Sequence, residues 1–119
     1  MKAGNIVLDK SFSFAVRTVN IYKALQNGQE YTLSKQLLRS GTSIGANIRE
    51  ALRGQSRNDF ISKMNIVLKE AYETEYWLEL LHATGYLDKP QFDDAFAECR
   101  DLTNILSKII ISSRRNDNV

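Results

Sequence analysis

Few residues in this chain could do acid–base or nucleophilic chemistry. His82 is the only histidine and Cys99 the only cysteine among 119 residues, which excludes a cysteine-based zinc site and a histidine cluster. The paired Glu-x-x-His pattern of carboxylate-bridged metal bundles is also absent. Cys99 falls on an apolar helical stripe, which favours a packing role. With no nucleophile–base pair, the sequence predicts a protein that is not an enzyme and needs no cofactor or metal.

Basic residues have a more informative spacing. On a helix drawn through residues 33–53, one face lies opposite the apolar stripe and holds four cations and two small residues. These are Lys35, Arg39, Thr42, Ala46, Arg49 and Arg53. The strip is about 27 Å long, and Arg57 follows it. It is the candidate site for phosphate contacts; the alternatives are contacts with acidic residues of a neighbour and ordinary solvated surface.

Charge is divided unequally along the chain. Residues 1–57 carry nine Lys or Arg and three acidic residues, a net charge of +6, whereas residues 58–119 have a net charge of −4. Such a split suggests a nucleic-acid surface or complementary faces in an assembly.

Two glycines lie inside the same helical segment as the basic strip. Gly41 and Gly45 each cost about 1 kcal/mol relative to alanine in a helix. Residues 41–45 (GTSIG) lack the Gly-Lys-Ser/Thr ending and the preceding strand of a phosphate-binding loop. The favoured interpretation is therefore close approach of a neighbouring helix.

Helical periodicity and helix-ending residues divide the chain into four segments, 9–26, 33–53, 56–84 and 89–112. The second segment opens at Thr32, the third has Ser56 and Asp59 as an N-terminal box, and Pro90 suits the first turn of the fourth. Residues 114–117 are predicted to fray. Apolar residues recur at i, i+3, i+4 and i+7 in every segment. Because the connections are short, residues 1–119 are predicted to form one all-α domain, an antiparallel up-down-up-down four-helix bundle.

The first and third segments are apolar on a second side. The first has Phe12, Ala15, Val16 and Val19 on its expected core face and Phe14, Ile21 and Leu25 opposite them. The third has Ile66, Tyr76, Trp77 and Leu80 away from its core stripe, with Glu70 and Glu73 among them. A second stripe predicts contact with another copy, although a broad core is the alternative. The predicted oligomer interface consists of Phe14, Ile21, Ile66, Glu70, Glu73, Tyr76, Trp77 and Leu80. Glu70 and Glu73 would complement the basic strip of a neighbouring subunit.

Composition fits a globular protein, with 43% hydrophobic and 25% charged residues. No apolar run approaches the roughly 18 residues of a membrane span, and residues 1–14 lack the apolar core of a signal peptide. A cytoplasmic location with no membrane contact is therefore expected.

Three stretches carry a resemblance to a known family. They are residues 10–23, from Lys10-Ser11-Phe12 to Tyr22-Lys23; residues 36–51 (QLLRSGTSIGANIREA); and residues 60–64 (FISKM) followed by 69–78 (KEAYETEYWL). The chain resembles the bacterial four-helix-bundle proteins encoded in 23S rRNA intervening sequences, often labelled S23 ribosomal proteins. That family is in turn similar to the accessory protein of diversity-generating retroelements, a pentameric barrel with a basic surface that works with nucleic acid and a reverse transcriptase.

The resemblance implies the four-helix bundle and, by analogy, a homopentamer with a reverse transcriptase as a possible protein partner. It favours RNA over DNA only through the family's name. Together with the basic strip, it predicts a non-enzymatic, nucleic-acid-binding oligomeric scaffold that uses Lys35, Arg39, Arg49, Arg53 and Arg57. The alternative is a protein–protein interaction module with no direct nucleic-acid contact.

Overall fold

Four helices account for most of the chain. The structure, a computed structural model, describes residues 2–117 and the side chains of residues 6–115. The helices are α1 (Lys2–Asn27), α2 (Leu33–Leu52), α3 (Arg57–Ala83) and α4 (Lys89–Asp117). No strand occurs in residues 2–117. The predicted all-α four-helix bundle is confirmed.

Two helices are longer than the sequence predicts. α1 begins at Lys2 rather than near residue 9, because the additional turns bury Val7 in the core. α4 continues to Asp117 through the segment predicted to fray. Ile110 anchors this end in the core, and Arg114 and Arg115 in the last turn interact favourably with the helix dipole.

The helices form a square in which each contacts two neighbours. The contacting pairs are α1–α2, α2–α3, α3–α4 and α1–α4, and no diagonal pair touches within the described helices. The connections 28–32, 53–56 and 84–88 are too short for anything but antiparallel neighbours. The bundle measures 52 × 21 × 20 Å.

Buried residues recur at alternating spacings of three and four, as in a heptad repeat. The buried residues at this spacing are Ser34, Leu37, Gly41, Ile44, Ile48 and Ala51 in α2 and Met64, Val67, Ala71, Thr74, Leu78 and Leu81 in α3; Ser40, Ile61 and Glu75 are buried as well. The helical spacing predicts core stripes of Leu33, Leu37, Ile44, Ile48 and Ala51 in α2, of Phe60, Met64, Val67, Ala71, Leu78 and Leu81 in α3, and of Phe92, Phe96, Cys99, Leu102, Leu106 and Ile110 in α4. The structure confirms all three stripes, with Leu33, Phe60, Phe92 and Phe96 half-buried at their margins.

The orientation predicted for α1 is wrong. The sequence places Phe12 and Val16 in the core and Phe14 and Ile21 on an outer face, whereas the structure reverses them. Phe14 is 1% exposed and Phe12 is 58% exposed. The buried residues of α1 are Val7, Ser11, Phe14, Thr18, Ile21 and Leu25. Ser11 and Thr18 interrupt the apolar stripe, so the other face looks more hydrophobic from the sequence alone.

Ser11 and Thr18 lie where α1 crosses the two glycines of α2. A Cβ atom at Gly41 would lie 2.7 Å from Thr18 Cγ2, and one at Gly45 would lie 3.3 Å from Ser11 Oγ. Each hydroxyl donates to a carbonyl of its own helix, Thr18 Oγ1 to Phe14 O at 2.9 Å and Ser11 Oγ to Leu8 O at 3.0 Å. The packing interpretation of Gly41 and Gly45 is confirmed.

A buried glutamate caps the start of α2. Thr32, the predicted opening residue, makes no side-chain cap bond. Instead Glu30 accepts backbone N–H bonds from Thr32 (3.2 Å), Leu33 (2.8 Å) and Ser34 (2.6 Å). Burial alone would raise the pKa of Glu30, but these bonds and the Ser34 hydroxyl outweigh it and hold the pKa below its ordinary value.

The seam between α1 and α4 is grooved. A cleft of about 530 Å³ runs along it, lined by residues that include Val16, Asn20 and Asp94. Two ion pairs cross the seam, Lys10 Nζ to Asp101 Oδ2 and Arg17 Nε to Glu98 Oε2, each at 2.8 Å. Both pairs are largely exposed, so they add little to stability.

Candidate nucleic-acid interface

The outer face of α2 carries the cations that the sequence placed there. Packing of Leu37, Ile44 and Ile48 into the core turns the opposite face to solvent. The four cations of the strip are exposed, and the smaller side chains of Thr42 and Ala46 lie between them. The exposed cations are Lys35, Arg39 and Arg49 within α2 and Arg53 in the C-cap position just after it.

Arg39 is engaged by the neighbouring helix. Its guanidinium pairs with Glu73 and, at 3.5 Å, with Glu70, both on α3 of the same chain. Glu73 also accepts a hydrogen bond of 2.9 Å from Trp77 Nε1. The sequence assigns Glu70 and Glu73 to the basic strip of another subunit, whereas the structure pairs them with Arg39 of their own chain. Arg39 is thus mainly a link between α2 and α3.

The other cations of the strip remain available. Among the side chains that the structure describes, no carboxylate forms an ion pair with Lys35, Arg49 or Arg53. Arg57 is exposed at the start of α3, four residues after Arg53. The basic surface is therefore concentrated where α2 ends and α3 begins, with Lys35 at the far end of the strip.

An aromatic ring borders this surface. Phe12 projects from α1 beside α2, and the Arg49 guanidinium carbon lies 5.7 Å from its ring centroid. A shallow recess of about 230 Å³ opens next to the ring, between α1 and α2. Apart from Phe12 and Arg49, its lining residues are Leu8, Ser11, Ala15, Thr42, Gly45 and Ala46. The sequence places Phe12 in the core instead, because the small polar residues Ser11 and Thr18 interrupt the apolar stripe that is buried in the structure.

The predicted oligomer interface is only partly at the surface. Phe14 and Ile21 belong to the core and cannot contact another copy. Ile66 and Tyr76 of α3 are exposed, and Trp77 and Leu80 are half-buried. The exposed apolar residues of α1 are Ile6, Phe12 and Val16 instead.

The potentially reactive side chains are held in packing roles. Cys99 is fully buried and its thiol donates to Ala71 O at 3.4 Å; burial, and secondarily the Glu75 carboxylate, raise its pKa to about 12. His82 is half-buried, with Nδ1 2.9 Å from Leu87 O and its ring stacked on Phe92. These contacts provide no nucleophile in its reactive state.

Glu75 is the most unusual ionisable group of the core. It lies between α3 and α4 at 7% exposure, with Oε2 3.5 Å from Arg100 Nε but in no hydrogen bond among the described residues. Burial raises its pKa, and Arg100 together with the Thr103 hydroxyl only partly counters this. No three His, Cys, Asp or Glu side chains within the described part of the chain are placed to share a metal ion.

Hydropathy along the four helices is too low for a membrane span: none in residues 2–117 is both long and apolar enough to cross one.

Comparisons with known proteins agree with this geometry. The family model for 23S rRNA-intervening sequence proteins matches residues 4–108. A crystal structure of a protein with unknown function from the S23 ribosomal protein family of Bacteroides thetaiotaomicron VPI-5482 superposes with a TM-score of 0.89. The two sequences are 57% identical, and the match covers 91% of this chain and 97% of the other. No curated protein gave a significant match.

Proposed function

The chain belongs to the 23S rRNA-intervening sequence protein family, and from that premise we propose that it is a non-enzymatic, nucleic-acid-binding scaffold that acts as an oligomer. The observation that carries the proposal is the exposed outer face of α2, where Lys35, Arg49 and Arg53 have no carboxylate partner among the described side chains. The family's name, which points to ribosomal RNA, makes RNA the preferred ligand.

The spacing of these cations suits a phosphate backbone. Arg49 and Arg53 are one helical turn apart, about 6 Å along the axis. Phosphates of one strand rise by about 3.4 Å each along a duplex axis and are farther apart in space because the strand winds around that axis, so the two arginines can contact phosphates of the same strand. Each contact is electrostatic and independent of sequence, and binding is therefore expected to have little sequence preference.

We expect the double substitution R49Q/R53Q to weaken binding to RNA and to flatten its salt dependence. The logarithmic slope should fall by about 0.9 for each phosphate that is no longer neutralised on a duplex and about 0.7 on a single strand. Fluorescence anisotropy with structured RNA, single-stranded RNA and duplex DNA across salt concentrations measures both effects. Helix content should not change, because both side chains are exposed.

The matched control is K89Q/K108Q, which removes the same charge from α4, diagonally opposite α2. It should leave the slope nearly unchanged. Equal effects of the two double variants would mean that binding depends on the net charge of the protein and not on the position of Arg49 and Arg53. Failure of the parent protein to bind any of the three ligands would contradict the proposed function.

The oligomer is proposed to be a pentamer formed through the outer face of α3. Exposed Ile66 and Tyr76, with half-buried Trp77 and Leu80 beside them, support contact between copies; the number five comes from the resemblance to the pentameric retroelement accessory protein. A ring would present five copies of the basic face, so that contacts which are weak singly add up.

Light scattering is expected to give a mass of about 68 kDa, five times the chain mass of 13.6 kDa. Y76D should reduce it, because the charge would be buried at the interface. Y86D, a matched change at an exposed tyrosine in the connection between α3 and α4, should not. A parent mass near that of one chain at tens of micromolar would contradict the oligomer.

A further inference from the structure

We propose that Phe12 is a stacking site for an unpaired base, so that the preferred ligand of the α2 face is single-stranded nucleic acid. The inference rests on the proposed function and specifies its ligand. Its basis is the position of an exposed aromatic ring beside an exposed arginine, at the edge of a recess on the basic surface.

The exposure of Phe12 is not required by the fold. The heptad places Ser11 and Phe14 in the core and leaves position 12 facing outward, where any polar residue would be accepted. A phenylalanine there leaves 58% of its surface in contact with water. The Arg49 guanidinium carbon lies over the ring at 5.7 Å from its centroid, a distance typical of cation–π contact.

The recess beside the ring is shallow and built from small side chains. Ala15, Thr42 and Ala46 line it, and Gly45 contributes no side chain at all. Thr42 Oγ1 already donates to Leu38 O at 2.6 Å. The recess therefore offers space and apolar contact with few groups that could read a base edge, which is how sequence-tolerant single-strand sites are built.

The positive charge around the recess beside Phe12 favours a nucleic acid over an apolar ligand. The guanidinium of Arg49 lies over the ring, and Arg53 follows four residues later. Asp9 borders the α1 side of the neighbouring recess, so the phosphates are expected on the α2 side. A base against Phe12 would place its flanking phosphates near the two arginines. In an intact duplex the base faces are already stacked on one another and cannot reach the ring.

A single-stranded RNA that carries one 2-aminopurine tests the site, because stacking quenches the fluorescence of this base. We expect the parent protein to quench it and F12A to lose both the quenching and about fivefold or more of the single-strand affinity. Duplex DNA affinity should hardly change. F12W should restore binding, whereas F12L, which keeps an apolar side chain without a ring, should not.

The control is Y86A, which removes an exposed aromatic ring from the connection between α3 and α4; it should leave binding as in the parent. Unchanged single-strand affinity and quenching in F12A, with R49Q/R53Q still weakening binding, would overturn the stacking site and leave the proposed function standing. No binding of any nucleic acid by the parent would overturn both. A lower mass of F12A in light scattering would show that the ring lies between copies of the chain, and would also overturn the stacking site.

Discussion

A methyl group added at position 41 is expected to lower the free energy of unfolding by about 1–3 kcal/mol, although alanine forms helices better than glycine by about 1 kcal/mol. The new Cβ would lie 2.7 Å from Thr18 Cγ2 and 2.8 Å from Thr18 Oγ1. Thr18 cannot rotate away easily, because it is buried, β-branched and hydrogen-bonded to Phe14 O. α1 must therefore move away from α2. Urea denaturation of G41A measures the destabilisation.

A second substitution should reverse that destabilisation. T18A in the G41A background removes both close atoms and leaves only a 3.3 Å approach to Cβ, so the double variant should be more stable than G41A. G45A is the matched glycine control: its Cβ would meet Ser11 Oγ at 3.3 Å, and its effect should be much smaller. A G41A protein as stable as the parent would refute close approach at this position.

Replacing Glu30 by glutamine is expected to cost about 1–3 kcal/mol near neutral pH, because it removes a charged acceptor from three backbone N–H groups. The pKa of Glu30 lies below its ordinary value of 4.5, so the folded state binds the proton more weakly than the unfolded state. The stabilisation is therefore fully present above pH 4.5 and is lost as the pH falls through the pKa of the folded state. Thermal melts of parent and variant should converge in acid.

E50Q provides the comparison for this pH dependence. Glu50 is exposed near the other end of α2, and its substitution should change stability little at any pH. A difference between E30Q and the parent that stays constant from pH 7 to pH 3 would mean that the carboxylate charge is not what stabilises the start of α2.

Most of the fold could be predicted from the sequence because apolar residues recur at helical spacing in all four segments and the connections between the segments are short. α1 could not be oriented correctly, since its buried face includes Ser11 and Thr18 and its exposed face includes Phe12 and Val16. The small polar residues fit against the glycines of α2, which is a relation between two helices. Apolar periodicity within one helix does not contain that information.

The candidate site could also be predicted only in part. The outward direction of the α2 cations follows from helix geometry, because the opposite stripe is strongly apolar. The engagement of Arg39 with Glu70 and Glu73 depends on the register between α2 and α3, which no pattern in either helix fixes. Phe12 was missed because the orientation of α1 was wrong, and that error also assigned Phe14 and Ile21 to an interface.

The square arrangement of the helices also bears on how the chain folds. Three of its four seams join helices that follow one another in sequence, so most native contacts close short loops, and folding within about microseconds to milliseconds is expected. Among the described helices only the α1–α4 seam joins distant parts of the chain, across exposed ion pairs and a cleft. Closing this seam carries the largest loss of chain entropy, and α1 and α4 contact each other less extensively than the helices at the other three seams. We therefore expect the bundle to open most readily by detachment of α1 from α4, and amide hydrogens near that seam should exchange before those between α2 and α3.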